Sequence, residues 1–261
     1  MDLNLKDKVI IVTGGGSGIG EAIVRESAKE GAIPIIVNRS RAKGEALQND
    51  LKADGYPCLF VQGDLARAEA CQRVVDETVK AFQKIDVLVN NAGYNDSISL
   101  EKGTPSRFMD SLQSNVFHYY TMAHYALPEL KKTKGNIVNI SSKTAVTGQG
   151  GTSGYIASKA AQLGLTREWA VELLPYGIRV NAVLPAEVMT PMYHDWINTF
   201  DDPEARLAEI TRRIPLEKRM TRGEEIAHTV LFLASDKSSH TTGQYLFPDG
   251  GYTHLDRAIG S

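Results

Sequence analysis

The chain has 261 residues, a formal net charge of -2 and two cysteines, Cys58 and Cys71, without metal-ligand spacing. A nearly neutral chain with no block of basic residues offers no general attraction for nucleic acid, and no apolar run is long enough to span a membrane. The charged N-terminus lacks the apolar stretch of a secretory signal. We therefore expect a soluble, cytoplasmic protein that binds no metal and forms one domain over residues 1–261.

The first predicted element is the apolar run from Val9 to Val12, which is typical of a buried parallel strand. It leads into the glycine-rich loop from Thr13 to Gly20 and then into a helical stretch that stops at Gly31. Glycines allow a tight turn and a close approach of pyrophosphate to the backbone, while the helix N-terminus supplies N–H groups. Because Glu21 stands where a P-loop has lysine, the pattern predicts a dinucleotide site and not an ATP site.

The second predicted strand, from Ile33 to Val37, is followed by Asn38, Arg39 and Ser40. An NAD-specific site usually ends this strand in a carboxylate that binds the ribose 2′-hydroxyl. That carboxylate is missing here, and Arg39 can pair with a 2′-phosphate. The segment therefore favours NADP, with NAD as the alternative.

The third and fourth predicted strands also end in polar or glycine-containing turns. Cys58 to Gln62 precedes Gly63-Asp64-Leu65, and Val87 to Asn90 precedes Asn91-Ala92-Gly93. Asp64 can accept a hydrogen bond from an adenine amino group, and the turn up to Gly93 would lie beside the adenosine ribose. Asn-Ala-Gly is also an ordinary turn sequence.

A serine, a tyrosine and a lysine follow the fifth predicted strand, which runs from Asn136 to Ile140. Tyr155 and Lys159 are four residues apart, so on a helix they share one face. A nearby ammonium favours the phenolate and should lower the pKa of Tyr155, which makes that side chain a candidate general base or acid. Ser142 can hydrogen-bond the same substrate oxygen. Tyr-x3-Lys alone occurs by chance in many helices, so the serine and the glycine loop are needed for the catalytic interpretation.

Strand-like and helical runs alternate along the whole chain, and the last strands are Arg179 to Leu184 and Tyr245 to Phe247. Alternation of this kind predicts an α/β fold, a single-domain Rossmann-type doubly wound parallel sheet of about seven strands with helices on both faces. Ligands of such sheets bind at the carboxyl ends of the strands. Each motif described above follows such an end.

Together these motifs resemble the short-chain dehydrogenase/reductase family over essentially the whole chain. The resemblance implies hydride transfer to NADP or NAD, a homotetramer paired through helices around 104–131 and 152–174, and a catalytic tetrad of Asn115, Ser142, Tyr155 and Lys159. In that tetrad, Asn115 helps to hold a proton-relay water. The implied cofactor contacts are Gly14, Ser17, Gly18, Ile19, Gly20, Asn38, Arg39, Ser40, Asp64, Leu65, Asn91, Ala92, Gly93, Tyr155, Lys159, Pro185, Val188 and Thr190.

The substrate is indicated by the less regular segments. Residues 186–215 interrupt the alternation and are interpreted as a substrate lid, whose polar and aromatic side chains suit a sugar, although surface helices carry polar residues anyway. The stretches 141–150, 185–191 and 250–258 resemble bacterial L-fucose dehydrogenases, which oxidise the anomeric hydroxyl of a free sugar to a lactone. The candidate substrate contacts are Asn95, Ser142, Gln149, Glu187 and Trp196.

Two other functions stay open. A 3-oxoacyl-(acyl-carrier-protein) reductase would share the tetrad, and Lys131, Lys132 and Lys134 could dock an acidic carrier, although such lysines usually form a solvated face. A protein that senses the dinucleotide without catalysis is the alternative of another class, but the intact serine, tyrosine and lysine argue against it. The tail from Tyr252 to Arg257 could close the site of a neighbouring subunit or simply fray.

Overall fold

The computed structural model describes residues 2–255, and their seven strands form one parallel sheet in the order β3-β2-β1-β4-β5-β6-β7. This confirms the predicted fold class. Between residues 2 and 255, no helix has both the length and the apolar composition needed to cross a membrane. The strands are β1 (Val9–Thr13), β2 (Ile33–Asn38), β3 (Leu59–Gln62), β4 (Val87–Asn90), β5 (Asn136–Ile140), β6 (Arg179–Val183) and β7 (Tyr245–Leu246).

Helices cover both faces of the sheet and connect its strands. Short π-helical and 3-10 turns are interposed at Gln113–Phe117, Leu174–Tyr176 and Asp236–Ser238. The α-helices are α1 (Gly18–Lys29), α2 (Arg41–Ala53), α3 (Ala68–Phe82), α4 (Pro105–Leu112), α5 (His118–Thr133), α6 (Thr144–Thr147), α7 (Ser153–Glu172), α8 (Pro191–Ile197), α9 (Pro203–Thr211) and α10 (Gly223–Ala234).

Alternate residues of β1 belong to the two hydrophobic cores on opposite faces of the sheet. Ile10 and Val12 belong to the core that includes α1 and α10, whereas Val9 and Ile11 belong to the core that includes α3 and α5. Successive side chains of a strand point to opposite faces, so both sets are buried only when both faces are covered. The uninterrupted apolar run of β1 follows from this double burial.

The helix expected over 104–131 is interrupted, which corrects the sequence prediction. Helix α4 ends at Leu112, and the π-helical turn Gln113–Phe117 separates it from α5. A π-helical turn inserts an extra residue into the helix and often marks a functional site. Here it carries Asn115, which is fully buried.

The predicted lid contains two short helices, α8 and α9, that follow β6. Proline begins each of them, at Pro191 and Pro203, and side-chain caps from Thr190 and Asp202 precede these prolines. Both helices therefore have locally encoded starts. The lid lies at the edge of the sheet where the strands end.

The lysine-rich segment before β5 lies at the opposite edge. Lys132 pairs with Glu129 at 2.5 Å, and Lys131 Nζ lies 3.8 Å from the centroid of the Tyr176 ring. Lys134 ends α5 just before β5 begins. These side chains are thus near the amino-terminal edge of the sheet.

Candidate active site

A cleft of about 1330 Å³ opens at the carboxyl ends of the strands, and most predicted site residues line it. Two predicted residues lie outside its lining: Ser40, and Asn115, which is buried beneath it. The predicted residues that line the cleft are Gly14, Ser17, Gly18, Ile19, Gly20, Asn38, Arg39, Asp64, Leu65, Asn91, Ala92, Gly93, Asn95, Ser142, Gln149, Tyr155, Lys159, Pro185, Glu187, Val188, Thr190 and Trp196.

The glycine loop is locked to the turn after β4. Thr13 Oγ1 accepts hydrogen bonds from the backbone N–H groups of Asn91 at 2.8 Å and Ala92 at 3.0 Å. A Cβ atom at Gly20 would lie 2.2 Å from the carbonyl oxygen of Gly14, and Gly14 itself has a φ of +66°. Only glycine allows this close approach. The lock leaves the N-terminus of α1 facing the cleft, where a pyrophosphate can bind.

The end of β2 offers an environment without a carboxylate. Asn38 Nδ2 donates to the Ser40 carbonyl at 3.3 Å, and Arg39 is exposed at the cleft wall. The Ser40 hydroxyl accepts from Lys43 N at 3.5 Å and thereby caps α2. The Ser40 hydroxyl therefore caps the helix as an acceptor and keeps its proton to donate, and Asn38 and Arg39 remain available to a ribose or its phosphate.

Tyr155 and Lys159 share one face of α7, as their spacing predicts. Lys159 is buried, and its Nζ donates to the Ile140 carbonyl at 2.8 Å and lies 5.6 Å from the centroid of the Tyr155 ring. Desolvation raises the pKa of Tyr155 to about 12, and the Ser142 hydroxyl opposes part of this shift. The expected lowering of this pKa is therefore wrong for the structure. Burial dominates the pKa of Tyr155, and burial also lowers the pKa of Lys159 to about 7.

Ser142 lies just after β5 and is held by Thr144. Its Oγ accepts from the backbone N–H of Thr144 at 3.2 Å and from Thr144 Oγ1 at 2.9 Å. Both contacts use the serine oxygen as acceptor, so its proton can be donated into the cleft toward Tyr155 or a substrate oxygen.

Asn115 is held from three directions. Its Oδ1 accepts from Tyr94 N at 2.8 Å, and its Nδ2 donates to the Ser111 carbonyl at 3.1 Å. Its own carbonyl accepts from Gln162 Nε2 at 2.7 Å. The side chain thus fixes the segment after Gly93 from below, and the Asn115 carbonyl has a protein donor on one side.

At the far end of the cleft, the Nζ of Lys143 donates to Glu187 Oε1, and the side chains of this ion pair are 12% and 16% exposed. Lys143 Nζ also lies 3.6 Å from the centroid of the Tyr252 ring.

Two aromatic residues of the lid lie beside this ion pair. Desolvation, followed by the neighbouring Glu187 carboxylate, raises the pKa of Tyr193. Trp196 packs edge-to-face on Tyr193 at 5.1 Å. Glu187 therefore contacts residues that were not among the predicted substrate contacts, above all Lys143. The only feature of the sequence that could have indicated Lys143 is its position directly after Ser142.

The remaining substrate candidates are held less firmly. Asn95 Oδ1 accepts from Ser97 N at 3.0 Å, and Gln149 is exposed at the cleft wall. The described part of the tail, including Tyr252, lines the cleft of its own chain. Asp256 and Arg257 lie outside the described residues.

The chain is similar to a family model and to proteins of known name. Residues 14–253 match the family model described as enoyl-(acyl carrier protein) reductase. L-fucose dehydrogenase of Bos taurus is 36% identical over 245 residues, covering 94% of this chain and 88% of that protein. The 3-oxoacyl-(acyl-carrier-protein) reductase FabG of Thermotoga maritima is 36% identical over 255 residues, covering 95% and 99%.

Two solved structures of dehydrogenases are also similar to this chain. The crystal structure of Cj0485 dehydrogenase superposes with a TM-score of 0.93 at 46% identity, covering 99% of this chain and 98% of that one. The ligand-free aldohexose dehydrogenase of Thermoplasma acidophilum superposes with a TM-score of 0.89 at 31% identity, covering 98% of both chains. The relative named L-fucose dehydrogenase is mammalian, whereas the sequence motifs point to bacterial enzymes of that name.

Proposed function

Because the chain belongs to the short-chain dehydrogenase/reductase family and is an NAD(P)-dependent oxidoreductase, we propose that it oxidises the anomeric hydroxyl of a neutral free sugar, such as L-fucose, to the lactone. NADP is the proposed hydride acceptor. The observation that carries the substrate proposal is the ion pair of Lys143 and Glu187 at the far end of the cleft.

An ion pair of this kind suits a polyol. The ammonium donates and the carboxylate accepts, so neighbouring hydroxyls of a sugar can bond to both groups at once. The two charges neutralise each other, which disfavours an anionic substrate. Two arginines at the cleft, Arg206 in α9 and Arg213 just after it, share the Glu209 carboxylate at 2.5 and 2.6 Å, so one of their two charges is compensated. Tyr193 and Trp196 offer apolar rings against which a sugar face can lie.

The names of the relatives support the same substrate class. One similar protein is called an L-fucose dehydrogenase, and one similar structure is an aldohexose dehydrogenase. Both names describe oxidation of a free sugar. The similarity to FabG supports only the shared chemistry of hydride transfer.

In the proposed mechanism, Tyr155 takes the proton of the anomeric hydroxyl as its own phenolic proton passes toward Lys159, while Ser142 donates a hydrogen bond to the same substrate oxygen. Bound NADP supplies the carbon that accepts the hydride. Lys159 in its neutral form accepts that phenolic proton and as an ammonium stabilises the negative charge that develops on Tyr155, and its pKa of about 7 allows it to exchange protons near neutral pH. Asn115 holds the backbone at Tyr94, which lines the cleft beside the reacting groups.

The cofactor assignment rests on fit. The glycine cradle at Gly14 and Gly20 leaves room for a pyrophosphate beside α1, and Tyr155, Lys159, Pro185, Val188 and Thr190 line the far side. At the ribose, the exposed guanidinium of Arg39 replaces the usual carboxylate. This combination supports NADP over NAD.

The carrier-protein alternative is disfavoured by the position of its docking lysines. Lys131, Lys132 and Lys134 lie near the amino-terminal edge of the sheet, away from the cleft. A carrier docked on them would hold its acyl group on the wrong side. The dinucleotide-sensing alternative is disfavoured because Ser142, Tyr155 and Lys159 line one cleft together.

We also propose a cytoplasmic homotetramer that folds as one domain. Exposed apolar side chains on the helices expected to pair subunits support the assembly: Met109, Tyr120 and Val171 are 60%, 56% and 68% exposed. The two buried free thiols, Cys58 and Cys71, suit a reducing compartment.

A substrate panel tests the proposal. Purified protein is assayed with aldoses, polyols and acyl thioesters, each with NADP and NAD. We expect the highest kcat/KM with L-fucose, D-arabinose or L-galactose, and no turnover of thioesters. Turnover of acyl thioesters without turnover of any free sugar would assign the cleft to the carrier-protein reaction instead.

A further inference from the structure

A buried histidine beneath the cleft is used by none of the functions described above. His118 is the first residue of α5, directly after the π-helical turn, and is 1% exposed. Both of its ring nitrogens are buried, and neither makes a hydrogen bond to any group within residues 2–255. The Ser114 backbone one turn earlier raises the pKa of the ring, but by less than burial and the charge of Lys159 lower it. A neutral imidazole has one donor and one acceptor, and both need partners.

His118 does not stand alone. Gln162 Oε1 and Ser111 Oγ are likewise buried without a hydrogen-bond partner in the described part of the chain. Gln162 donates its amide to the Asn115 carbonyl, and Ser111 accepts from Asn115 Nδ2 through its own carbonyl. These unpartnered groups therefore surround the π-helical turn. Buried polar groups that lack protein partners are the usual ligands of ordered water.

The histidine and the catalytic lysine both lie near the ring of Tyr119, and both line the cleft. The His118 ring is 4.9 Å from the Tyr119 ring, and Lys159 Nζ lies 5.7 Å from the same ring. His118 also lines the cleft together with Ser114. The charge of Lys159 acts on the His118 ring, so an imidazole with unpartnered nitrogens lies near the ammonium at the cleft wall, where a water can bridge the two groups.

We propose that His118 relays the proton of the oxidation from Lys159 to solvent, acting through Lys159 and a bridging water and not on the substrate itself. This inference rests on the proposed hydride transfer. Each oxidation releases one hydride to the cofactor and one proton to the protein. The proton passes from Tyr155 to Lys159 and on to one ring nitrogen of His118, while the other ring nitrogen gives its proton to water in the cleft. No group is oxidised or reduced in this step.

The chemical form of the ring suits such a relay. Burial, and after it the charge of Lys159, lower the pKa of His118 to about 3. The ring is therefore neutral at the pH of the cell and accepts a proton on one nitrogen only as it releases one from the other. A neutral relay of this kind holds no charge between turnovers.

Three substitutions of His118 separate a relay from packing and from simple hydrogen bonding. His118→Phe keeps a ring without nitrogens, His118→Gln keeps a donor and an acceptor without a through-ring transfer, and His118→Gly leaves space for added imidazole. His124→Phe is the matched control, because it makes the same change at an exposed position of α5. Cofactor affinity and circular dichroism establish that each variant is folded.

The readouts are kcat, KM, the solvent deuterium isotope effect and proton release followed with an indicator dye, on whichever substrate the wild type oxidises. We expect kcat of His118→Phe and His118→Gln to fall at least ~10-fold, with proton release slower than the first cofactor reduction and KM nearly unchanged. Imidazole should restore His118→Gly, and His124→Phe should behave as wild type.

Wild-type kcat and proton release in His118→Phe would overturn the relay and leave His118 as a packing residue. Wild-type kcat in His118→Gln would also overturn it, since hydrogen bonding alone would then suffice. A wild type that oxidises nothing in the panel would contradict the proposed function itself, and the relay with it.

Discussion

In the cofactor half of the cleft, the key contacts are made by backbone held at neighbouring strand ends, whereas in the substrate half they are made by side chains from separate segments. The loop after β1 is locked to the turn after β4 through Thr13, and Gly14 and Gly20 touch directly. At the other end, Lys143, Glu187 and Tyr252 come from three different connections and meet only in the fold.

The difference separates two kinds of constraint. A backbone cradle tolerates almost no change of residue, because a single methyl group would collide with a carbonyl. A cluster of side chains can be changed one residue at a time while the cleft persists. We therefore expect substitutions in the cofactor half to remove cofactor binding, and substitutions in the substrate half to change substrate affinity alone.

The largest expected effect is at the junction of the two halves. Tyr155→Phe keeps the ring and removes the hydroxyl, so kcat should fall by about 10³-fold while cofactor affinity is retained. Stopped-flow and steady-state assays with the best sugar of the panel measure this loss. Turnover near the wild-type rate would remove Tyr155 from the chemistry.

Next in size is a single methyl group in the cradle. Gly20→Ala places a Cβ 2.2 Å from the Gly14 carbonyl oxygen, whereas the same change at Gly164 meets nothing within 4 Å. We expect Gly20→Ala to weaken dinucleotide binding about 100-fold or more, since the loop must shift, and Gly164→Ala to bind normally. Titration calorimetry measures both. Equal affinities would mean that the loop is not the binding site.

The substrate half is tested through its ion pair. Glu187→Gln should raise KM for the sugar about 10-fold with little change in cofactor affinity, because a charge-assisted hydrogen bond is lost. The double variant with Lys143→Gln also removes the ammonium that Glu187→Gln leaves without its partner. If the pair contacts substrate, KM stays high in the double variant even when its melting temperature recovers. A KM that returns to the wild-type value would limit the pair to a structural role.

A smaller effect is expected at Arg39, which we expect to contact the 2′-phosphate on the adenosine ribose of NADP. Arg39→Ala should raise KM for NADP about 10-fold and leave KM for NAD unchanged, because one charge-assisted contact to the phosphate is lost. Arg41→Ala is the control, since its guanidinium already bonds to Gln62 and Glu45. If the Arg39 variant keeps the wild-type preference for NADP over NAD, another residue must recognise the phosphate.

The smallest expected effect is on acid stability. The folded-state pKa of His118 is lowered to about 3 from its ordinary value of 6.5, so the folded state resists protonation and loses stability as pH falls from 6.5 toward 3. His118→Phe lacks this loss. Its melting temperature relative to wild type should rise as pH falls through this window, as measured by calorimetry. A constant difference between pH 7 and 4 would mean that the ring is not buried as described.

Much of the cofactor half could be predicted from the sequence because its chemistry is local. The glycine loop, Asn38, Arg39 and the turn at Asn91 to Gly93 each follow one strand, and parallel strands bring such ends together. Ser142, Tyr155 and Lys159 were accessible for the same reason. The pKa shifts of Tyr155 and Lys159 could not be predicted, because desolvation depends on everything that packs around α7.

The substrate half was harder to predict for a physical reason. Lys143 resembles any surface lysine until β5 and β6 bring it beside Glu187. The π-helical turn at Gln113–Phe117 leaves no periodicity signal, so the segment reads as one long helix. His118 could not be singled out from the sequence, because only the structure shows that its buried ring nitrogens lack hydrogen-bond partners. Contacts made by the tertiary fold have no local pattern.

The most direct test of the central claim uses L-fucose deuterated at the anomeric carbon, with NADP and the wild-type protein. We expect the deuterium to appear on the reduced nicotinamide, a slower hydride step than with unlabelled sugar, and a lactone as the first product. Reduced cofactor without deuterium, formed at the unlabelled rate, would mean that another carbon or another substrate class is oxidised, and it would contradict the claim.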